Sequence, residues 1–243
     1  MTTDHAPEGA AGASRGWRGR LVLLAALALI VAAFFVLHGE RYVSLETVKA
    51  NRDTLLAFTH AHYFAALAIA FAVYVLATTL SLPGGLVLSL TAGFLFGRWI
   101  GTVLVVTAAT IGATLLFLAA RYLFADAARR RMGALGEKLN AGFTENALNY
   151  LLFLRLVPLF PFFLVNLAPA FTTIPLRTFI LGTFLGIIPG SFVFVNLGET
   201  LGRIDSLSGL LSTPTIAAFV LLGALALVPV LVRKLRAGRA QKA

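Results

Sequence analysis

The sequence predicts an all-α polytopic membrane protein, with about four full transmembrane helices around two opposed re-entrant helical hairpins in an inverted repeat. Three observations predict it: continuous apolar runs, the basic residues placed between them, and two proline-centred breaks about 78 residues apart. Of the 243 residues, 59% are hydrophobic and 12% charged, with a mean hydropathy of +0.90, whereas a globular domain is about a quarter charged. A water-soluble fold has too little interior for so much apolar surface. A helix crossing a bilayer needs about 20 mostly apolar residues. Residues 21–37, 64–82, 99–124 and 175–197 approach or meet this, with a fifth run at 214–232. Because these runs are continuously apolar, they differ from the alternating strands of a membrane barrel.

Residues 1–20 read as a disordered cytoplasmic tail and 21–37 as the first transmembrane helix. Arg15, Arg18 and Arg20 precede this run as in a signal peptide, but the run is long and ends without an Ala-x-Ala-like cleavage site. Residues 38–63 form an amphipathic outer segment, and 64–202 form the core. A last transmembrane helix at 214–232 precedes a basic cytoplasmic tail at 233–243.

Basic residues flanking spans remain on the cytoplasmic side. Three lie before Leu21, five between Arg121 and Tyr150, and five after Val232, which assigns both termini and the central loop to that side. Parity then fails if residues 64–82 and 99–124 both cross. A re-entrant hairpin over residues 64–97 restores it, the alternative being that Pro83 and Pro158 only kink ordinary spans. At its middle, Leu82-Pro83-Gly84-Gly85 combines a residue that cannot donate to the helix ladder with two that permit a tight reversal. Residues 149–171 repeat the pattern around Leu156-Val157-Pro158-Leu159-Phe160-Pro161. With the central loop inside, the second hairpin enters from the opposite side, the arrangement of inverted-repeat transporters. Non-helical backbone at membrane depth needs protein or a wet cavity around it, so the two breaks imply a hydrated interior.

Arg155 stands out among the residues that could carry chemistry. It lies in an apolar run three residues before Pro158, where an arginine must be paired or face water. Its planar fork of donors matches phosphate oxygens; snorkelling to the interface is the alternative. Gly93, Gly97 and Gly101, and again Gly182, Gly186 and Gly190, recur every four residues, a small-residue face suited to close helix packing in lipid. Arg98 and Arg177 read as interfacial anchors, and Arg129-Arg130-Arg131 as a topology determinant that touches anionic lipid. Asn166 and Asn196 fit either a helix-to-helix hydrogen bond or a substrate contact. The net charge of +10 comes from residues at the ends of apolar runs, which argues against nucleic acid. With no cysteine, and with His60 and His62 two apart, no metal site is expected. The acidic residues lie outside the apolar runs, Glu199 nearest, and no hydrolase or phosphate-binding motif is present. Neither a cofactor nor an enzyme activity is expected.

Leu82-Pro83-Gly84-Gly85, Ala92-Gly93-Phe94-Leu95-Phe96-Gly97 and Phe117-Leu118-Ala119-Ala120-Arg121-Tyr122 resemble the first half of the VTT domain. This is the DedA-like, SNARE-associated Golgi protein family. The second half is similar in Leu154-Arg155-Leu156-Val157-Pro158-Leu159-Phe160-Pro161-Phe162, in Gly186-Ile187-Ile188-Pro189-Gly190 and in Asn196-Leu197-Gly198. The resemblance covers roughly residues 65–202. It implies two opposed re-entrant hairpins and lipid movement: undecaprenyl phosphate in bacterial members, phospholipids in eukaryotic ones. It also implies a headgroup site at Arg155 with the Pro158 and Pro161 turn. Ser81 and Gly85 stand where DedA-type transporters carry acidic residues, and Phe162 and Phe163 where they carry a second arginine.

The expected function is therefore a lipid translocase or scramblase for anionic or polyprenyl phosphate lipids, in the cytoplasmic (inner) membrane of a bacterium. Substrate contacts are expected at Arg155, Pro158, Pro161, Asn166, Pro83, Gly84 and Gly85. A non-transporting scaffold for envelope homeostasis and a proton-coupled small-solute transporter are the competing expectations. Membrane lipids are the expected partners, and the oligomeric state stays open.

Overall fold

The computed structural model describes residues 19, 25, 29–37, 44–131, 147–156 and 162–203, with backbone alone at 124–131, 162 and 201–203. Every element among them is helical. Residues 29–36 form α1, within the expected first span. Leu45–Ala50 (α2) and Arg52–Ala61 (α3) make up the amphipathic segment. The Ser44 side chain accepts the Thr47 N–H at 3.1 Å, an N-cap that starts α2. Between α3 and the apolar helix Tyr63–Thr79 (α4) the chain bends by 120°.

α4 ends in a Schellman motif. Leu82 N–H reaches the Ala77 carbonyl at 2.9 Å and Ser81 N–H the Thr78 carbonyl at 3.1 Å. Ser81 holds the left-handed position, φ 52°, that glycine usually takes. After Pro83 and Gly84 the chain enters Gly85–Arg131 (α5), which Gly97 splits into two arms. Its φ of 74° and ψ of 173° belong to a region that side chains other than hydrogen avoid. The first arm, residues 85–96, runs back along α4. Tyr74 OH and Ser89 Oγ are 3.0 Å apart near the turn, and the Tyr63 and Phe96 rings meet edge to face at the open end. At 1.5 Å per residue this arm is about 18 Å long, short of the roughly 30 Å hydrocarbon core. The second arm packs against α4 at Gly112, where a Cβ would fall 2.7 Å from the Val75 carbonyl oxygen.

Ala147–Leu156 (α6) is followed, beyond the expected proline turn, by Phe162–Leu167 (α7), a 3-10 turn Ala168–Phe171, an extended break at 172–175 and the long helix Leu176–Arg203 (α8). Pro158 and Pro161 lie outside the described residues, as do most of the expected first span, the whole 214–232 span and the basic tail. Among the described residues, two helices are long and apolar enough to cross a membrane, Gly85–Leu123 and Leu176–Thr200, or three if α3 and α4 together make a bent span. Their outward faces carry Leu115, Leu118, Leu181 and Leu185, a surface suited to lipid.

Each half contributes to the core of the other. Val195 of α8 sits in the cluster of Tyr74, Phe96, Leu104 and Ala108. Ala113, Phe117 and Ala120 of α5 sit in the cluster of Leu151, Val165 and Phe179, where the Phe117 and Phe179 rings stack at 4.2 Å. The polar contacts cross in the same way. Arg121 of α5 caps the second break, its guanidinium donating to the carbonyls of Thr172 at 3.0 Å and Ile174 at 2.9 Å. Glu199 of α8 caps the first, accepting the Arg98 N–H at 2.9 Å. Backbone groups freed by a break must find partners away from water, and here the opposite long helix supplies them.

Candidate functional site

α6 and α8 approach closely at Gly186, where a Cβ would fall 2.6 Å from the Arg155 Cβ. A side chain there would push the arginine away from α8. Instead, the Arg155 Nη2 donates to Asn166 Oδ1 of α7 at 2.6 Å and to Thr183 Oγ1 of α8 at 2.9 Å. Asn166 and Thr183 are both fully buried. The Phe179 ring lies 5.7 Å from the guanidinium carbon. Three separate elements thus orient one planar cation. Both of these partners are neutral side chains, and their contacts fix the direction of the guanidinium.

Arg155 also lines a cavity of about 550 Å³. The first turn lines it as well, with Ser81, Pro83, Gly84 and Gly85. Tyr74, Thr78, Ser89 and Ser191 bring hydroxyls to the lining, beside apolar residues such as Phe163, Ile187 and Phe194. Substrate-contact candidates from both halves of the sequence, Arg155 on one side and Pro83, Gly84 and Gly85 on the other, therefore share a single cavity. Asn166 acts through Arg155 and does not line it.

The six glycines read as packing positions divide. At Gly93 a Cβ would collide with the Val195 carbonyl, and Gly101, Gly182 and Gly186 also stand against neighbours closer than a Cβ tolerates. Gly97 and Gly190 have open space instead. Gly97 forms the break itself, and Gly190 faces the cavity. Arg98, read as an interfacial anchor, is turned toward Glu199, its Nε 2.8 Å from Oε2. Arg177 is exposed at the start of α8. The roles of Thr183, Glu199 and the Tyr74–Ser89 pair went unnoticed in the sequence. Only the opposite charges of Arg98 and Glu199, each at the end of an apolar run, hinted at their pairing.

The VTT domain family matches residues 82–200, from the first turn to the end of α8. The chain belongs to the VTT-domain family. This VTT-domain chain is also similar to a Dictyostelium discoideum protein described as a Transmembrane protein 41 homolog, 32% identical over 199 residues, 79% of this chain and 58% of that protein. A Caenorhabditis elegans Transmembrane protein 41 homolog is 29% identical over 208 residues, 84% of each chain. Human Transmembrane protein 41B is 26% identical over 193 residues, 78% of this chain and 66% of its own. The chain thus spans from 58% to 84% of the length of these relatives. No solved structure matches it significantly.

These relatives, with others in zebrafish and Arabidopsis thaliana, are eukaryotic. They point to an intracellular membrane and overturn the expectation of a bacterial cytoplasmic membrane. Basic-residue counts order the two sides of a membrane but do not identify which membrane it is.

Proposed function

We propose that this VTT-domain protein moves lipids between leaflets, as a translocase or scramblase for phosphate-bearing anionic headgroups. The observation that carries the reading is Arg155, a cation held by Asn166 and Thr183 in the wall of a cavity of about 550 Å³. A guanidinium keeps its charge in such a place, and its donor fork fits phosphate oxygens two at a time. The hydroxyls of Thr78, Ser81 and Ser191 offer a headgroup further hydrogen bonds in place of water. The headgroup crosses through this cavity past Arg155.

Two re-entrant hairpins of opposite sense accommodate this path. The arm at 85–96 is too short to cross the hydrocarbon core. Irregular backbone at both breaks is capped by protein, as a membrane interior demands. Glu199, engaged by Arg98, is poorly placed to carry protons, which favours lipid movement over a proton-coupled solute transporter.

The test is reconstitution into phosphatidylcholine vesicles with fluorescent phosphatidic acid, read by chemical quenching from outside. The reading predicts that quenching exceeds the half accessible in protein-free vesicles. Movement no faster than in protein-free vesicles would remove it and leave a non-transporting membrane scaffold.

A further inference from the structure

A second cavity, of about 270 Å³, lies between α3, α4 and the first arm of α5. Its wall is made by side chains such as Leu55, Phe58, Ile69, Val73 and Leu95. The hydroxyls on that wall are already used. Thr59 donates to the Leu55 carbonyl at 2.8 Å, Thr91 donates to the Val87 carbonyl at 2.8 Å, and Tyr74 pairs with Ser89. A polar occupant would lose its hydration and gain nothing in return, whereas apolar cavities stay dry and accept apolar ligands.

Two features say which apolar occupant. Ile69 and Val73 are 54% and 41% exposed, so the groove opens sideways along the outer face of α4, where a membrane supplies lipid chains. Tyr74 and Leu88 line this groove and the Arg155 cavity alike. One thin wall, closed by the Tyr74–Ser89 hydrogen bond, separates the Arg155 cavity from this apolar groove. An amphiphile whose phosphate meets Arg155 can therefore lay a chain across this wall.

We infer that the groove between α3, α4 and the first arm of α5 binds one acyl chain of the lipid whose headgroup occupies the Arg155 cavity. The assignment rests on the lipid-moving reading of that cavity for the headgroup's place. It makes Tyr74 a partition between headgroup and chain, and α3 a lid on the chain.

The experiment uses the full chain in phosphatidylcholine vesicles containing phosphatidic acid with a photoactivatable diazirine on one acyl chain. After illumination, mass spectrometry of peptides locates the label. The inference predicts label concentrated on Leu55, Ile69, Val73 and Leu95. It predicts an approximately tenfold loss of label there in Ala70→Phe, which fills the groove. Val73→Trp, at the exposed mouth where folding is not at stake, is expected to give the same loss. Label spread evenly over outward residues such as Leu115 and Leu181 would overturn the inference. So would labelling unchanged by both variants, or a groove left unlabelled because a protein segment or a second copy fills it. Labelling is independent of lipid movement: a labelled groove in a protein that moves no lipid would defeat the translocase reading while leaving the chain site standing.

Discussion

Glu199 and Arg98, 101 residues apart in the chain, meet at the Gly97 break through two contacts to one carboxylate oxygen. Oε2 accepts the Arg98 backbone N–H at 2.9 Å and its Nε at 2.8 Å, and the Glu199 side chain is 10% exposed. Removing the guanidinium takes away the buried carboxylate's opposite charge, while the backbone N–H of residue 98 still donates to it. Arg98→Ala is expected to lose about 2–4 kcal/mol, the lower values reflecting its one-third exposed side chain. The Arg98→Ala, Glu199→Ala double variant should recover part of that loss. Thermal unfolding in detergent checks this; a double variant less stable than both single ones would contradict it.

Gly93 and Gly190 each belong to a series of glycines at four-residue spacing but differ in surroundings. Gly93→Ala would drive a methyl into the Val195 carbonyl. It is expected to destabilise by at least about 1–3 kcal/mol, the usual range for overpacking. Gly190→Ala meets open space within a helix and should be neutral or stabilising by up to about 1 kcal/mol. Comparing their melting temperatures decides the matter.

Ser81 occupies a left-handed position at the end of α4 and lines the Arg155 cavity. Ser81→Gly should relieve about 1 kcal/mol of strain, seen as a raised melting temperature. If the hydroxyl serves a headgroup, the same variant slows lipid movement, separating stability from function.

Asn166 offers a way to alter the Arg155 charge without removing the arginine. Asn166→Asp places a carboxylate 2.6 Å from the guanidinium if the packing is kept. The pair then carries no net charge. Movement of phosphatidic acid is expected to fall about tenfold relative to phosphatidylcholine, and equal effects on both lipids would argue against headgroup attraction.

Features encoded locally were legible in the sequence. Pro83 with Gly84 marked the first turn because proline and glycine restrict or free the backbone at their own positions. Arg155 was legible because a charge inside an apolar run demands a partner. Gly97 was not separable from Gly101, since spacing does not reveal the sign of φ. Thr183, 28 residues from Arg155, and Glu199, 101 from Arg98, become partners only through the packing of α8 against the rest of the chain. The membrane of residence was misread for a related reason: apolar length and charge order describe a bilayer, not an organelle.

The central claim is that Arg155 guides an anionic headgroup through the cavity between the two halves. The most direct measurement is the initial rate of phosphatidic acid movement in matched vesicles carrying wild type, Arg155→Lys or Arg155→Ala at equal protein density. The account predicts a loss of at least about tenfold for Arg155→Ala. Arg155→Lys should fall between, because it keeps the charge and loses the fork held by Asn166 and Thr183. An Arg155→Ala protein, folded by its melting curve, that moved phosphatidic acid at the wild-type rate would contradict the account.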